Sequence, residues 1–392
     1  MPLLLDLSHT SHTRARTGIQ RVSRSLYGAL AGQCAGVCFD PYEGSWRPLE
    51  PWEEENLSAP EPSGGRGSHW PLMARLRGRA RHILRRPVGL SALHGAGGAI
   101  FPEVFSPDVA RALPDIFAAT AGPRVALFHD AIALQFPEFA PRSTLARFPG
   151  YLQELLKFDG VAAVSETSKA SLLGYWRWLG VARVPDVAAI PLGIDAPAPA
   201  PSPGPAGNAG APVILCVGSI EGRKNHAALL DACESLWARD ARFELRLVGL
   251  SNAETGAAAL GKLDRLRAAG RPIRYDGPLG DDALDAGYRG CAFTVYPSLA
   301  EGFGLPVAES LARGRPCLCR TDGALGETAA GGGCLSLGSA GAPEIATAIG
   351  GLLERPSELA SLSAAARGRR FRTWKQYASE LVGWMETLRM HE

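Results

Sequence analysis

The chain has 392 residues, a length that suggests two domains, each large enough to bury its own core. Its 46% hydrophobic and 20% charged residues exclude disordered, collagen-like and fibrous architectures. The 41 basic and 39 acidic side chains leave a formal charge of +2, which argues against a chain that binds nucleic acid over its whole surface.

The start of the chain and its cysteines indicate a cytoplasmic protein. The sequence has no run of about 18–20 apolar residues that could span a bilayer. Residues 1–6 lack a basic region and reach a carboxylate too early for a signal peptide. Only two cysteine pairs are close in sequence, Cys34 with Cys38 and Cys317 with Cys319, and neither has the second pair that a zinc site needs. We therefore expect buried, reduced thiols.

Short aliphatic runs alternate with segments of helical length, a pattern typical of parallel sheets covered by helices on both faces. The predicted strands are Leu3–Leu7, Val125–Phe128, Val161–Val164, Val187–Ile190, Val213–Val217, Phe243–Val248 and Phe293–Tyr296. The segment 196–212 is rich in proline, glycine and alanine and cannot continue a helix or strand. We predict an N-terminal α/β domain over 1–195, this linker, and a C-terminal α/β domain over 213–392 whose last helix can pack back on the first domain. The cleft between the domains is the expected ligand site.

An insertion over about 62–102 interrupts this alternation. It contains seven arginines and no acidic residue. Apolar residues recur in it at helical spacing and would form one stripe beside a basic face: Leu72, Met73, Leu76, Ala80, Ile83 and Leu84. Two interpretations remain open, a surface helix that packs on the N-terminal sheet and a helix over 66–86 that contacts an anionic membrane surface. Nucleic acid is not an expected partner.

The segment 296–310 carries the most specific pattern. A strand ends at Tyr296, a glycine-rich turn follows, and Pro306 is suited to open a helix. Free backbone N–H groups at such a turn and the positive end of the helix favour a bound phosphate. Glu301 and Glu309 are placed to face the same crevice. The pattern indicates a ligand with phosphates in its middle and hydroxyls at both ends, the layout of a nucleotide sugar.

Two polar pairs follow other predicted strands. Arg223 and Lys224 lie in a strand-to-helix turn, where an arginine fork and a lysine point charge suit a diphosphate. His129 and Asp130 lie at the carboxyl end of a strand, the edge of a parallel sheet where ligands bind. Alone, the first pair is more typical of solvated surface charge and the second of structural hydrogen bonding.

The sequence Pro-Ser-x-x-Glu-Gly-Phe-Gly-Leu-Pro-x-x-Glu, which places seven residues between Glu301 and Glu309, resembles the E-x7-E motif of the retaining glycosyltransferases of family 4. This resemblance implies an α/β protein of GT-B fold, with two facing Rossmann-like domains, parallel sheets and a cleft between them. It implies that Glu301 contacts hydroxyls of the donor sugar and Glu309 the ribose. It also places Phe303, Gly304 and Leu305 beside the sugar and phosphates.

The turn over 218–225 is similar to the Gly-x-x-Glu-x-Arg-Lys-Asn segment of the same family. The resemblance implies that Arg223 and Lys224 stabilise the departing nucleoside diphosphate. Ser219 stands beside the donor where many relatives have an arginine, so the phosphate role rests on Arg223 and Lys224.

Segments of the N-terminal domain also resemble parts of the family's site. Gly18 lies in a loop similar to the glycine loop that covers the donor. His129 and Asp130 resemble a strand-end pair whose histidine lies near the transferred sugar and the acceptor. Ser165 and Glu166 resemble a Val-Ser-Glu turn that forms a wall of the cleft. Ser165 is equally suited to be only a helix cap.

The resemblance implies a retaining transferase that moves a mannosyl, rhamnosyl or glucosyl group from a nucleotide sugar to a glycan or polyprenyl-linked acceptor in surface polysaccharide synthesis. His129, Asp130 and Glu301 are the expected catalytic residues. No cofactor or metal is expected, because Arg223, Lys224 and a helix terminus supply the positive field. Alternatives are a GT-B sugar-nucleotide epimerase and a non-catalytic carbohydrate-binding subunit of this fold. The expected location is the cytoplasm, with the inner face of the cytoplasmic membrane as a peripheral site.

Overall fold

The structure, a computed structural model, describes residues 2–62, 65, 67–84, 93–195 and 210–388. The chain divides into two compact units. The first consists of Met1–Ala131, Ser143–Gly193 and Thr373–Glu392, and the second of Ile132–Arg142 and Ile194–Arg372.

Within the described residues, the α-helices are α1 (Gly18–Ala29), α2 (Pro51–Ser58), α3 (Leu72–Ile83), α4 (Pro107–Ala119), α5 (Ile132–Gln135), α6 (Arg142–Glu154), α7 (Glu166–Trp178), α8 (His226–Trp237), α9 (Ala253–Ala268), α10 (Asp281–Gly290), α11 (Leu305–Ala312), α12 (Gly323–Ala329), α13 (Ala342–Glu354), α14 (Pro356–Gly368) and α15 (Trp374–Met385). Short 3-10 turns cover Thr10–His12, Pro137–Phe139, Leu155–Lys157 and Gly222–Lys224. None of the helices in the described ranges is both long and apolar enough to cross a bilayer.

The first unit is built on one sheet. Its described strands are β1 (Leu3–Asp6), β2 (Cys34–Asp40), β3 (Ser45–Pro48), β4 (Ala99–Phe101), β5 (Arg124–Phe128), β6 (Gly160–Ala163) and β7 (Asp186–Ala189). Their order is β3-β2-β1-β4-β5-β6-β7, and every pairing except that of β2 with β3 is parallel. The four residues of β6 and all of β5 except Arg124 are buried. These strands are covered on both faces, which is why they form continuous apolar runs in the sequence.

The second unit has an entirely parallel sheet. Its described strands are β8 (Val213–Val217), β9 (Glu244–Val248), β10 (Ile273–Tyr275), β11 (Phe293–Tyr296), β12 (Cys317–Cys319) and β13 (Cys334–Ser336). Their order is β10-β9-β8-β11-β12-β13. A core of aliphatic and aromatic side chains from the strands and from α8, α9 and α13 lies against this sheet.

The predicted α/β class, parallel sheets and seven strands are confirmed. Six strands were not predicted. Four of them, β4, β10, β12 and β13, have three residues each, too few to show a period. Polar residues and proline in β3 hid an antiparallel edge strand. The expectation of reduced thiols is also confirmed, since all eight cysteines are free and six are buried.

The two units differ from the predicted ranges 1–195 and 213–392 in one internal segment. Residues 132–142 belong to the second unit, where the ring of Phe139 packs so closely on Gly222 that a Cβ there would come within 2.8 Å of it. The terminal helix α15 belongs to the first unit and packs on α1, in line with the expectation that the last helix can pack back on the first domain. Most of the predicted linker, 196–209, lies outside the described residues.

Candidate functional site

The second sheet has a switch point between β8 and β11, because β9 and β10 continue from one side and β12 and β13 from the other. Ligands of open α/β sheets bind in the crevice outside the carboxyl ends of such strands. Phe293 of β11 pairs with Ile214 of β8, so the turns that follow these strands leave the sheet side by side. A backbone hydrogen bond from Leu299 to the carbonyl of Arg223, 2.8 Å long, joins the two turns.

Glu301 is the centre of an ionic cluster at this switch point. Arg223 Nη1 lies 2.8 Å from its Oε2, and Lys224 Nζ lies 2.5 Å from its Oε1. The Tyr296 hydroxyl donates to Oε1 at 2.9 Å, and Arg223 also pairs with Glu221 at 3.0 Å. The side chains of Lys224 and Glu301 are 9% and 8% exposed, so water screens their attraction weakly. Residues predicted from two separate motifs thus meet in one cluster.

The charges of this cluster set its protonation. Burial alone would raise the pKa of Glu301, but Arg223 and then Lys224 lower it to about 2. Burial and Arg223 lower the pKa of Lys224, while Glu301 opposes that shift. Burial and then Glu301 raise the pKa of Tyr296 well above its usual value, so its hydroxyl remains a donor. Tyr296 had no predicted role, although its position at the end of a strand was a signal.

Helix α12 supports the glycine-rich turn. Gly304 has a φ of 93°, which favours glycine, and a Cβ there would lie 2.7 Å from Leu325 Cδ2. The Thr328 hydroxyl donates to the carbonyl of Phe303. Leu305 begins α11, so the turn leads directly to a helix N-terminus as predicted. Leu325 and Thr328 are distant from the turn in sequence, and only the tertiary fold brings them to it.

Glu309 lies inside α11 and is 5% exposed. The Tyr288 hydroxyl donates to Glu309 Oε2 at 3.0 Å, and the Arg313 guanidinium lies 4.9 Å from the centre of the Tyr288 ring. Tyr288 belongs to α10 and gave no signal in the sequence. It fixes the orientation of the second glutamate of the motif. Ser219 lies half-buried in the turn after β8.

The first sheet has its own switch point, between β1 and β4. Asp6 ends β1, and Glu103 follows β4. Glu103 accepts the backbone N–H groups of His9 and Thr10, both at 2.8 Å. Asp6 Oδ1 accepts the N–H of Ser8 at 2.9 Å, whereas its buried Oδ2 has no hydrogen-bond partner among the described residues. Burial and then Glu103 raise the pKa of Asp6 to about 7. Neither carboxylate was predicted to be a site residue.

His129 follows β5, the strand next to β4. Its Nε2 lies 2.7 Å from the carbonyl oxygen of Pro102, and because a carbonyl only accepts, Nε2 carries the proton. Burial lowers the pKa of His129. The ring is therefore neutral and has its lone pair on Nδ1. The Ser168 hydroxyl donates to the His129 carbonyl at 2.8 Å.

Ser165 caps α7, one of the two roles that the sequence suggested for it. Its Oγ accepts the N–H of Ser168 at 3.0 Å. Glu166 is exposed in the first turn of that helix, and Asp130 is half-buried after His129. Gly18 opens α1, and a Cβ there would meet no described atom within 4 Å. Packing in the described part of the chain therefore gives no reason for glycine at position 18.

One group of potential metal ligands occurs among the described residues: His12, Cys38 and Glu53 each place a ligand atom within 4.8 Å of the others. Arg47 Nη1 already lies 2.7 Å from Glu53 Oε2, and His12 Nε2 lies 2.6 Å from Glu53 Oε1. Burial raises the pKa of the Cys38 thiol well above its usual value, which leaves it neutral. Arg47 supplies a positive charge here, and these side chains form a buried ion-pair network.

Comparison with known proteins places these motifs in context. Residues 211–355 match the family model described as "Glycosyl transferases group 1". The serotype-specific mannosyltransferase WbdA of Escherichia coli is 27% identical over 348 residues, 81% of this chain and 38% of that protein. The chain therefore spans well under half the length of this relative. D-inositol 3-phosphate glycosyltransferase 2 of Catenulispora acidiphila is 32% identical over 163 residues, 40% of this chain and 38% of that protein.

Solved structures share the fold of nearly the whole chain. HepE of Anabaena, solved in complex with UDP and glucose, has a TM-score of 0.72 at 14% identity and covers 99% of this chain and 100% of its own. Sucrose-phosphate synthase from Thermosynechococcus elongatus has a TM-score of 0.69 at 18% identity, with 98% of both chains covered. Similarity at these identities extends to the fold alone.

Proposed function

We propose that this chain, which carries a group 1 glycosyltransferase domain over residues 211–355 and has the GT-B fold, transfers a hexosyl group from a nucleotide sugar to a glycan or lipid-linked acceptor. The observation that carries the proposal is the Glu301 carboxylate held between Arg223 and Lys224 at the switch point of the second sheet. WbdA is named a mannosyltransferase, and HepE was solved with UDP and glucose, which supports a nucleotide sugar as donor and polysaccharide synthesis as the setting.

The donor diphosphate is assigned to Arg223 and Lys224. In the structure these two cations balance the carboxylates of Glu221 and Glu301. A diphosphate at the N-terminus of α11 adds negative charge beside them and draws them partly away from Glu301. The Glu301 carboxylate is then left to accept hydrogen bonds from sugar hydroxyls. The cluster thus exchanges one set of charge-assisted bonds for another on donor binding.

These cations also serve the transition state. Negative charge accumulates on the leaving phosphate oxygen as its bond to the sugar breaks, so contacts from Arg223 and Lys224 strengthen at that moment. A preorganised positive field of this kind replaces a metal ion, and the proposed reaction needs none.

The remaining donor contacts follow from the positions of the other motif residues. Glu309, oriented by the Tyr288 hydroxyl, is assigned to the ribose. Phe303, Gly304 and Leu305 present the turn and the helix N-terminus to the phosphates. Ser219, Gly18, Ser165 and Glu166 are assigned peripheral donor contacts.

The acceptor is assigned to the first unit. Neutral His129 offers Nδ1 as an acceptor for a sugar or acceptor hydroxyl, since its Nε2 is committed to the Pro102 carbonyl. Asp130 follows it at the same strand end. For the proposed retaining reaction, the acceptor oxygen forms a bond to the anomeric carbon on the face from which the phosphate departs. The acceptor hydroxyl gives its proton to the departing phosphate oxygen.

The test is incubation of the chain with UDP-, GDP- and dTDP-sugars, with and without a polyprenyl-linked glycan, while nucleoside diphosphate release and sugar transfer are measured. A transferase releases diphosphate in step with sugar added to the acceptor, and NMR of the product reports retention. Acceptor-independent conversion of the donor would favour the epimerase alternative. Donor binding without turnover would favour the non-catalytic subunit. Glu301→Gln provides the inactive control.

A further inference from the structure

Helix α3 turns its apolar side chains to solvent. Leu72, Met73, Leu76, Ile83 and the adjoining Leu84 are 68%, 65%, 47%, 78% and 65% exposed. Five of the eight large hydrophobic side chains that are exposed in the described part of the chain therefore belong to this one segment. Single exposed apolar residues are ordinary, but a contiguous patch of them marks an interaction surface.

Small residues hold the opposite face of α3 against the first unit. Ala74 is 4% exposed, and a Cβ on Gly78 would come within 2.8 Å of Tyr42 Cβ and 3.2 Å of Asp40 Oδ1. Ala74 and Gly78 are one turn apart and share a face, so this close approach fixes the rotation of the helix. One of the two interpretations of this segment was a surface helix that packs on the N-terminal sheet. The helix does pack on the first unit, but its apolar stripe faces away from that unit. Trp70, which precedes the helix, is instead buried against His12, with the ring centres 3.9 Å apart.

Arginines flank the apolar face on both sides. By the helical period, Arg77 and Arg79 lie on opposite borders of the stripe. Arg77 is 51% exposed and 2.9 Å from Glu50, and Arg81 is 28% exposed and 3.4 Å from Glu43. Glu50 and Glu43 are only 16% and 1% exposed, so they lie beneath the arginines. The outer surface of the helix is apolar in the middle and basic at its borders.

This arrangement selects one kind of partner. A second copy of the chain would bring two arginine borders together, and like charges oppose that contact. An anionic bilayer accepts both features, since the apolar side chains enter the acyl boundary while the guanidinium groups remain at the headgroups. The sequence from 62 to 102 itself contains no carboxylate, and the two that pair with arginines of α3, Glu43 and Glu50, lie beneath them.

We propose that α3 is an interfacial anchor that binds the chain to an anionic membrane surface. Leu72, Leu76 and Ile83 insert among the acyl chains, and Arg77 and Arg79 contact lipid phosphates. The anchor does not depend on glycosyl transfer, although it would hold the proposed enzyme beside a lipid-linked acceptor.

The test is co-sedimentation of the full chain with vesicles of phosphatidylcholine and phosphatidylglycerol in equal amounts, compared with vesicles of phosphatidylcholine alone. We expect binding to the anionic vesicles that weakens as salt is added. The variant Leu72→Ser/Leu76→Ser/Ile83→Ser should bind roughly tenfold or more weakly, because it loses most of the inserted apolar surface. The matched control is Trp178→Ser/Leu179→Ser, which removes side chains 79% and 51% exposed at the end of α7 and should bind like the parent.

A second variant, Arg77→Gln/Arg79→Gln, should lose the preference for anionic vesicles. All variants should melt near the parent temperature, since the changed side chains are exposed. Failure of the parent to bind anionic vesicles, equal binding by the α3 variant, or equal binding to both vesicle types would overturn the proposal. So would a concentration-dependent dimer that the α3 variant abolishes while vesicle binding persists. Turnover with a soluble acceptor, measured without lipid, reports on the proposed function separately.

Discussion

The Lys224 ammonium group lies 2.5 Å from Oε1 of Glu301, although the two residues are 77 positions apart in the chain. Each belongs to a different turn, and both turns leave the carboxyl edge of the same sheet. This ion pair therefore joins the two turns that form the proposed donor site.

Lys224→Ala should lower turnover by roughly 10²-fold or more, because it would remove a preorganised cation from the proposed site of the leaving group. The measurement is nucleoside diphosphate release at saturating donor and acceptor. The matched control is Arg265→Ala, which removes an exposed cation that lies 3.2 Å from Glu234 in the same unit. Near-parent turnover for Lys224→Ala would contradict the assignment. Some loss of stability accompanies this variant, since it leaves the buried Glu301 with fewer partners.

Glu301 should contribute to stability in a defined pH window. Its pKa falls from 4.5 in the unfolded chain to about 2 in the fold, so its contribution is present above pH 4.5 and is lost as the pH falls through 2. The parent should lose up to roughly 3 kcal/mol more than Glu301→Gln across this window in urea denaturation. Glu61→Gln changes an exposed carboxylate and should follow the parent curve. Parallel curves for parent and Glu301→Gln would show that the cluster does not hold the carboxylate ionised.

The contribution of Asp6 to stability should depend on pH in the opposite direction to that of Glu301. Its pKa rises from 3.8 to about 7, so its contribution is present below pH 3.8 and is lost as the pH rises through 7. Replacement by Asn keeps the shape of the side chain and removes its charge. The free energy of unfolding of Asp6→Asn, relative to that of the parent, should therefore be higher at pH 8 than at pH 4. The measurement is the free energy of unfolding at both pH values, with Asp186→Asn, an exposed change in the same sheet, as the control. If the free energy of unfolding of Asp6→Asn depended on pH in the same way as that of the parent, Asp6 would ionise as freely in the fold as in the unfolded chain.

Substitutions at Glu309 and Tyr288 should distinguish a residue that binds the donor from a residue that only positions Glu309. Glu309→Ala should reduce kcat/KM by about 10²-fold, because it would remove the proposed charge-assisted contact to the donor. Tyr288→Phe should lower kcat/KM roughly fivefold, mainly by raising KM for the donor, since it removes only the hydrogen bond that orients Glu309. Isotope-labelled donor competition with free nucleoside diphosphate provides the binding measurement. If Tyr288→Phe changes stability without changing KM, the tyrosine has a structural role only.

EDTA should leave turnover largely unchanged. In the proposed reaction, Arg223, Lys224 and the N-terminus of α11 would take the place of a metal cation at the departing diphosphate. The measurement is turnover after extensive dialysis against EDTA. Loss of activity that Mg²⁺ or Mn²⁺ restores would show that the residues do not suffice.

Much of the proposed donor site could be predicted from local sequence. Glu301, Gly304 and Glu309 lie within nine consecutive positions, so strand end, turn and helix start follow from local propensities alone. Strands such as β5 and β6 were likewise recognisable, because strands buried on both faces are apolar along nearly their whole length. Tyr288, Leu325 and Thr328 could not be found this way, since they contact the motif from other helices.

The sequence by itself determined the α/β class, the glycine-rich turn and the period of the apolar residues in α3. The tertiary structure alone decided which carboxylates meet which cations, and that Asp6 and Glu103 share the switch point of the first sheet. It also decided that the stripe of α3 faces outward. An amphipathic period fixes which residues share a face, but only the contact of Gly78 with Tyr42 and Asp40 fixes which face is buried.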